Sequence, residues 1–136
     1  MLFSKKEIAE TLEYMADLAI SMGLDNGVVM LAWREADGML YEAPPFIIGK
    51  GQRDSQNGDP GRVYWGTARE KLSFSLRTQR DSGEYPDCPA KLGELGKKGC
   101  SRLEYHGAEI FFICSGFHND TNDAIVSDSA KQRFLR

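Results

Sequence analysis

The sequence has few cysteines and no long run of apolar residues. Its three cysteines, Cys88, Cys100 and Cys114, are an odd number without C-x-x-C spacing, which indicates reduced thiols rather than a disulfide framework. No apolar stretch approaches the roughly 20 residues that cross a bilayer. The charged, amphipathic start, MLFSKKEIAETLEYM, lacks the apolar core of a signal peptide. We therefore expect a cytoplasmic protein that has no membrane as a partner.

The sequence also lacks an excess of either charge. The 17 basic and 20 acidic residues give a net charge of −3, with no long run of one sign. A nucleic-acid binder usually carries a basic stripe, and an anionic membrane surface attracts basic clusters. Neither nucleic acid nor a membrane surface is therefore an expected partner.

What is present is typical of one globular domain. The chain has 136 residues, of which 41% are hydrophobic and 27% charged. A chain of about this length buries roughly two-thirds of the surface that its unfolded form exposes. We expect a single domain over residues 1–136 that folds without metals or disulfides.

A helix followed by a hairpin is predicted in the first third of the chain. Ser4 and Glu7 form a capping-box pattern, apolar residues then recur every 3.6 residues, and Gly23 is placed to end the helix. The apolar run 28–33 predicts a strand that is buried on both faces. Asp37-Gly38 favours a tight turn into a second strand over 39–43, which Pro44-Pro45 ends.

The middle of the chain predicts a second helix between two loops. Residues 49–62 contain four glycines and many polar groups, which indicates a loop. Asp59-Pro60 resembles a helix cap followed by proline at the first helical position, so we expect a helix over about 61–78. Residues 81–100 are again predicted as loop, with one short helical turn around 90–95.

The last third predicts a second hairpin and a final helix. Strands are expected over 101–105 and 109–114, joined by a tight turn at His106-Gly107. After a break at Ser115-Gly116, Asn119 or Asp120 can cap a helix over about 121–134. The order α-β-β-α-β-β-α predicts an α+β domain. In it, a single antiparallel sheet of two hairpins packs against the helices in two layers.

This order, together with four segments, resembles the GlcG/HbpS-like family of small haem-binding-type proteins. The segments are GVVMLAWREADGMLYEA, the A-x-x-K pattern from Ala68 to Lys71, the strand after Gly99, and EIFFICSGFHNDTNDAIV. They touch most of the chain. The resemblance implies a profilin-like fold that often assembles into homo-oligomers and in some members binds haem or another small ligand. It identifies no axial haem ligand, so the cofactor is unknown, with haem possible by resemblance.

A zinc site and a nucleophilic serine are two further interpretations of residues in the last third of the chain, and neither is favoured. Cys100, His106, Cys114 and His118 have the spacing C-x5-H-x7-C-x3-H, which matches no standard zinc motif. Ser115 lies at a sharp break near His118, but the string ICSGF lacks one glycine of a nucleophile elbow. A turn followed by a helix cap explains the break more simply. No catalytic residue is assigned, and a metal site remains unknown.

The candidate ligand-binding residues lie on two segments and the second helix. The loop 49–61 does not match a P-loop, but Arg53 and Arg62 are available to a carboxylate or phosphate. Trp65 offers an aromatic surface. Ser115 and His118 belong to the break, where a neutral imidazole could ligate iron. A solvated loop histidine is the alternative for His118.

The favoured function is small-ligand binding, by a protein that is more easily explained as a non-enzyme. The ligand is expected between the sheet edge and the second helix, with the loop 49–61 and the corner 115–120 as its rim. A ligand-free interaction or assembly module and a thiol- or serine-dependent enzyme are the alternatives.

Overall fold

The computed structural model describes residues 2–117 and 119–136. The helices are α1 (Lys5–Ser21), α2 (Tyr64–Thr78) and α3 (Asp120–Phe134). The strands are β1 (Gly27–Arg34), β2 (Leu40–Glu42), β3 (Phe46–Ile48), β4 (Gln52–Arg53), β5 (Arg62–Val63), β6 (Cys100–Tyr105) and β7 (Ala108–Ser115). No helix in the described ranges is long and apolar enough to cross a membrane.

Both expected hairpins belong to one antiparallel sheet, which confirms the α+β class. Its strand order is β2-β1-β7-β6, and β3 also pairs with β1. The two hairpins are joined by β1 and β7, whose register runs from Val28 opposite Ser115 to Arg34 opposite Glu109. These central strands are buried along almost their whole length, as the apolar run 28–33 predicts.

The helices form three layers with the sheet, so the expected two-layer arrangement is wrong. α1 and α3 pack on the sheet face that carries Val29 and Leu31, whereas α2 packs on the face that carries Met30 and Phe111. Successive residues of a strand point to opposite faces. Because β1 and β7 are apolar on both faces, each face is covered by helices to keep these side chains from water.

The local signals at two helix starts behave as expected. The Ser4 hydroxyl accepts a hydrogen bond from the Glu7 N–H at 3.1 Å, and the Glu7 carboxylate accepts one from the Ser4 N–H at 3.0 Å. Asn119 caps α3 by accepting from the Asn122 N–H at 2.9 Å. Both caps satisfy N–H groups that have no partner inside their helix.

The loop expected over 49–62 instead contains two short strands. β4 and β5 pair as an antiparallel ribbon, with Arg53 opposite Arg62. Asp59 does not cap α2, because its carboxylate accepts from the Gly61 N–H at 2.8 Å and pairs with Arg53. α2 therefore begins at Tyr64, three residues later than expected, with Val63 as a cap that offers no side-chain acceptor. Residues 90–95 contain a turn but no helical turn.

Candidate functional site

A cleft of about 290 Å³ lies where the start of α2, the β4–β5 ribbon and the corner between β7 and α3 meet. The cleft lies beside α2, as expected from the sequence for a ligand site, but at the end of the central strand β7 rather than at an edge strand of the sheet. Six charged side chains line it: Arg53, Arg62, Lys71, Lys97, Asp120 and Asp123. Of the four cations, Lys71 pairs with Asp123 within the cleft, and Arg53 and Lys97 pair with Asp59 and Glu84 beside it.

Two of these cations face each other on the ribbon. Arg53 and Arg62 are directly opposed residues of β4 and β5, and side chains in such positions lie on the same face at a separation of about 5 Å. The Arg53 guanidinium pairs with Asp59 at 2.5 Å. The Arg62 side chain forms no hydrogen bond or direct ion pair within residues 2–117 and 119–136. The pKa of Asp59 is lowered chiefly by hydrogen bonds from the Gly61 N–H and Arg53, with a smaller contribution from the charge of Arg62. Opposed like charges destabilise a strand pair, so an anion between these two side chains would stabilise the ribbon.

Lys71 and Asp123 form the floor of the cleft as a buried ion pair. The Lys71 ammonium donates to the Asp123 carboxylate at 2.9 Å and to the Cys114 carbonyl at 3.0 Å. The second oxygen of Asp123 accepts from the Phe117 N–H at 3.1 Å. The two side chains are only 2% and 7% exposed. The pair therefore ties α2 and α3 to the corner after β7.

Burial sets the protonation chemistry of this floor. It raises the pKa of Asp123, against the opposing effects of the Lys71 ammonium and the Phe117 N–H. Burial also raises the pKa of Cys100 to about 12 and the pKa of Cys114 well above its ordinary value. A thiol is nucleophilic as its thiolate, so both thiols are poorly suited to nucleophilic chemistry at neutral pH.

The structure brings three of the five candidate ligand-binding residues to this cleft. Arg53, Arg62 and Ser115 line it. Trp65 does not; its exposed ring instead lies under the Arg69 guanidinium at 5.8 Å. His118 lies outside the described residues.

The corner at Ser115 has the geometry of a turn. Ser115 is the buried last residue of β7, and Gly116 follows it with φ +96°. The string ICSGF, residues 113–117, is therefore a strand end followed by a bend, and Asn119 caps the helix after it. No group of three or more histidine, cysteine or acidic side chains in the described part of the chain is arranged to hold a metal ion.

The Lys71–Asp123 pair is the part of the site that sequence reasoning missed. In the sequence Lys71 appears only as the last residue of the A-x-x-K pattern, and Asp123 only as one of the acidic residues that follow the break at Ser115. One signal was available, because Lys71 follows Ala68 by three residues and so shares the apolar face of α2. A lysine on a buried stripe requires a partner.

Comparison with known proteins gives no match for this chain among protein-family models, curated proteins or solved structures.

Proposed function

We propose that the protein binds a small molecule bearing a carboxylate or phosphate group in the cleft between the β4–β5 ribbon and the corner after β7. The observation that carries this proposal is Arg62. Its guanidinium lines the cleft opposite Arg53 and forms no hydrogen bond or direct ion pair among the described residues, so only the longer-range attraction of Asp59 opposes its charge. Arginine presents a planar set of N–H donors that matches carboxylate and phosphate oxygens.

The start of α2 supports an anionic ligand at the same place, whereas the start of α3 already has the Asn119 cap and two aspartates in its first turn. Tyr64 and Thr67 from the first turn of α2, and Asn119 and Asp120 at the start of α3, line the cleft. α2 has no side-chain cap. The Tyr64 N–H donates to the Gly51 carbonyl at 3.0 Å, and the next N–H groups of the first turn are available to a ligand. The positive end of the helix dipole favours an anion there. The helix start and the arginine pair thus favour the same charge.

The volume of the cleft favours a small metabolite over a macrocycle. Ligand pockets usually span about 300–1,000 Å³, and the cleft, at about 290 Å³, lies at the lower end. Haem is the ligand implied by the GlcG/HbpS-like resemblance, and its propionates would suit the basic rim. Titration of the protein with haemin tests haem as the ligand. A Soret shift that His118→Ala abolishes would support haem binding, and an unchanged spectrum would exclude it.

Arg62→Ala is expected to weaken binding of an anionic probe about tenfold or more, because a hydrogen bond to a charged group typically contributes about 1.5–3 kcal/mol. Calorimetric titration with inorganic phosphate, pyrophosphate and a small dicarboxylate measures it. Arg69→Ala is the matched control, because Arg69 lies on the exposed part of α2 and pairs with Glu42 outside the cleft. No saturable binding of any of these probes, or equal losses in both variants, would contradict the proposal.

The alternatives drawn from the sequence remain predictions. A serine-dependent activity would use Ser115, which lines the cleft but is buried. A thiol-dependent activity would use the half-buried Cys88, since Cys100 and Cys114 are buried. Cys88 does not line the cleft. A ligand-free assembly module predicts an apolar surface elsewhere on the molecule.

A further inference from the structure

The charged side chains that line the cleft do not all have a direct partner. Three of its cations and one of its carboxylates belong to ion pairs: Arg53–Asp59, Lys71–Asp123 and Lys97–Glu84. The two that remain are Arg62 on β5 and Asp120 at the start of α3. Neither side chain forms a hydrogen bond or a direct ion pair within residues 2–117 and 119–136. The cleft therefore offers one positive and one negative group to a ligand, on two different elements.

The half-buried Asp120 carboxylate acts on the cation nearest to it in charge only at longer range. The pKa of Lys97 is raised chiefly by its hydrogen bond to Glu84 and, to a smaller extent, by the charge of Asp120. Lys97 is therefore already committed to another carboxylate. The helix dipole favours an acid at the start of α3, but the side-chain cap of this helix is Asn119. The dipole thus accounts for the charge of Asp120 and leaves its oxygens available to a donor.

The two helix starts at the cleft favour opposite charges in a ligand. Arg62 lies just before α2, whose start has no side-chain cap and favours an anion. The first turn of α3 carries Asp120 and Asp123, and these carboxylates oppose the positive end of its dipole. Asp123 is committed to the buried pair with Lys71, so Asp120 is the carboxylate left to a ligand. An anionic group therefore suits the α2 side of the cleft, and a cationic group suits the α3 side.

We propose that the ligand of this cleft is a zwitterion, whose carboxylate or phosphate group binds Arg62 and whose ammonium group binds Asp120. The inference rests on the proposed anion-binding function and narrows the ligand class to amino acids and amino phosphates. Such a ligand neutralises both unpaired side chains at once, whereas a plain anion adds a further negative charge near Asp120. Complementary charges at both ends of a ligand, and repulsion of a competitor at one end, give specificity. The cleft volume of about 290 Å³ suits molecules of this size.

Pairs of probes that differ only in an ammonium group test the inference by calorimetric titration. Ethyl phosphate presents a phosphate alone, and phosphoethanolamine presents the same phosphate with an ammonium group at its far end. Propionate and β-alanine form the corresponding carboxylate pair. We expect the zwitterion of at least one pair to bind the original protein about tenfold more tightly than its plain anion, because a hydrogen bond to a charged group contributes this much to affinity.

Asp120→Asn removes the negative charge and retains a side chain that is common at helix starts. We expect this variant to bind the zwitterion about tenfold more weakly and to bind the matching plain anion as well as before, or more tightly. Damage to the fold would instead weaken both. Asp128→Asn is the matched control, since Asp128 lies on α3 outside the cleft, and it is expected to leave both affinities unchanged. Arg62→Ala is expected to weaken both.

The outcomes separate this inference from the proposed function. Equal affinity for the two members of each pair, with binding that Arg62→Ala weakens, would leave the anion site in place and overturn the zwitterion. A preference for the zwitterion that persists in Asp120→Asn would also overturn the inference, because another group would then hold the ammonium. No saturable binding of any of the four probes would contradict the proposed function and this inference with it.

Discussion

Replacing Lys71 with methionine is expected to destabilise the protein by about 3–5 kcal/mol at pH 7, because breaking a buried pair leaves an uncompensated charge. Lys71 and Asp123 are almost fully buried, and methionine fills a similar volume without an ammonium group. The lost free energy therefore reflects the unpaired Asp123 carboxylate rather than a cavity. Urea unfolding, monitored by circular dichroism, measures the loss in free energy of unfolding from the midpoint and slope of the transition.

The destabilisation by Lys71→Met is expected to depend on pH in a defined direction. Burial already raises the pKa of Asp123, and the loss of the opposing Lys71 ammonium raises it further in the variant. The folded variant then binds a proton that the unfolded chain releases above about pH 4. Its stability therefore falls as the pH rises from the unfolded pKa to the raised folded pKa. The difference in free energy of unfolding between Lys71→Met and the original protein is expected to be largest at neutral pH and to become smaller towards pH 4.

The double variant Lys71→Met/Asp123→Asn separates charge from shape. Asparagine retains an oxygen that can accept from the Phe117 N–H, which now binds the carboxylate at 3.1 Å. We expect the double variant to regain more than half of the stability that Lys71→Met loses, since no buried charge remains. A Lys71→Met loss below about 1 kcal/mol, or a loss that does not change between pH 4 and pH 7, would contradict the assigned role of the pair.

The ion pair also joins the elements that form the cleft. Lys71 joins α2 to the Cys114 carbonyl at the end of β7, and Asp123 joins α3 to the Phe117 N–H just beyond it. These bonds converge on the corner where Ser115 and Gly116 line the cleft. Lys71 and Asp123 therefore both hold the fold together at this corner and line the cleft. The rim of the cleft differs, because its arginines lie on a two-stranded ribbon, which is marginally stable by itself.

The sequence predicted those parts of the fold whose signals are local. The capping box at Ser4 and Glu7 depends on residues three apart, and the buried strand over 28–33 shows in its composition alone. Asp59 was misleading because the same side chain can cap a helix or close a turn. In the structure the Asp59 carboxylate accepts from the Gly61 N–H and from the Arg53 guanidinium, so it closes a turn. The bond with Arg53 forms only because the chain folds back onto β4.

The site was less predictable than the fold, because its residues are distant in sequence. Arg53 and Arg62 were recognisable as anion-binding candidates within one loop, but their direct opposition required the β4–β5 pairing. Lys71 and Asp123 are 52 positions apart, and no pattern in one sequence links them. Trp65 was selected for its aromatic ring, but it lies on the exposed side of α2, away from the side chains of that helix that line the cleft.

Gly99→Ala is expected to destabilise the protein by about 3 kcal/mol, because Gly99 lies directly against the ion pair. A Cβ at this position would lie 2.5 Å from the Cys114 carbonyl oxygen and 2.6 Å from the Lys71 ammonium nitrogen. Gly99 also has φ +134°, a conformation that side chains other than glycine rarely adopt. Backbone strain and overpacking each cost about 1–3 kcal/mol. The urea midpoint of the variant measures their sum.

Gly99 cannot easily move away from the added methyl group, since its carbonyl accepts from the Cys114 N–H at 2.8 Å. Lys71 would have to shift instead, which would lengthen its bond to Asp123. Gly23→Ala is the control: Gly23 has φ +81°, but no atom lies within 4 Å of the place that its added methyl group would occupy. The control therefore carries the backbone cost of about 1–2 kcal/mol without the overlap. Equal losses in both variants would show that backbone conformation alone requires glycine at position 99. We expect the larger loss in Gly99→Ala, because its φ of +134° is less accessible to alanine than +81° and because the Cys114 carbonyl and the Lys71 ammonium both lie within 2.6 Å of the added Cβ.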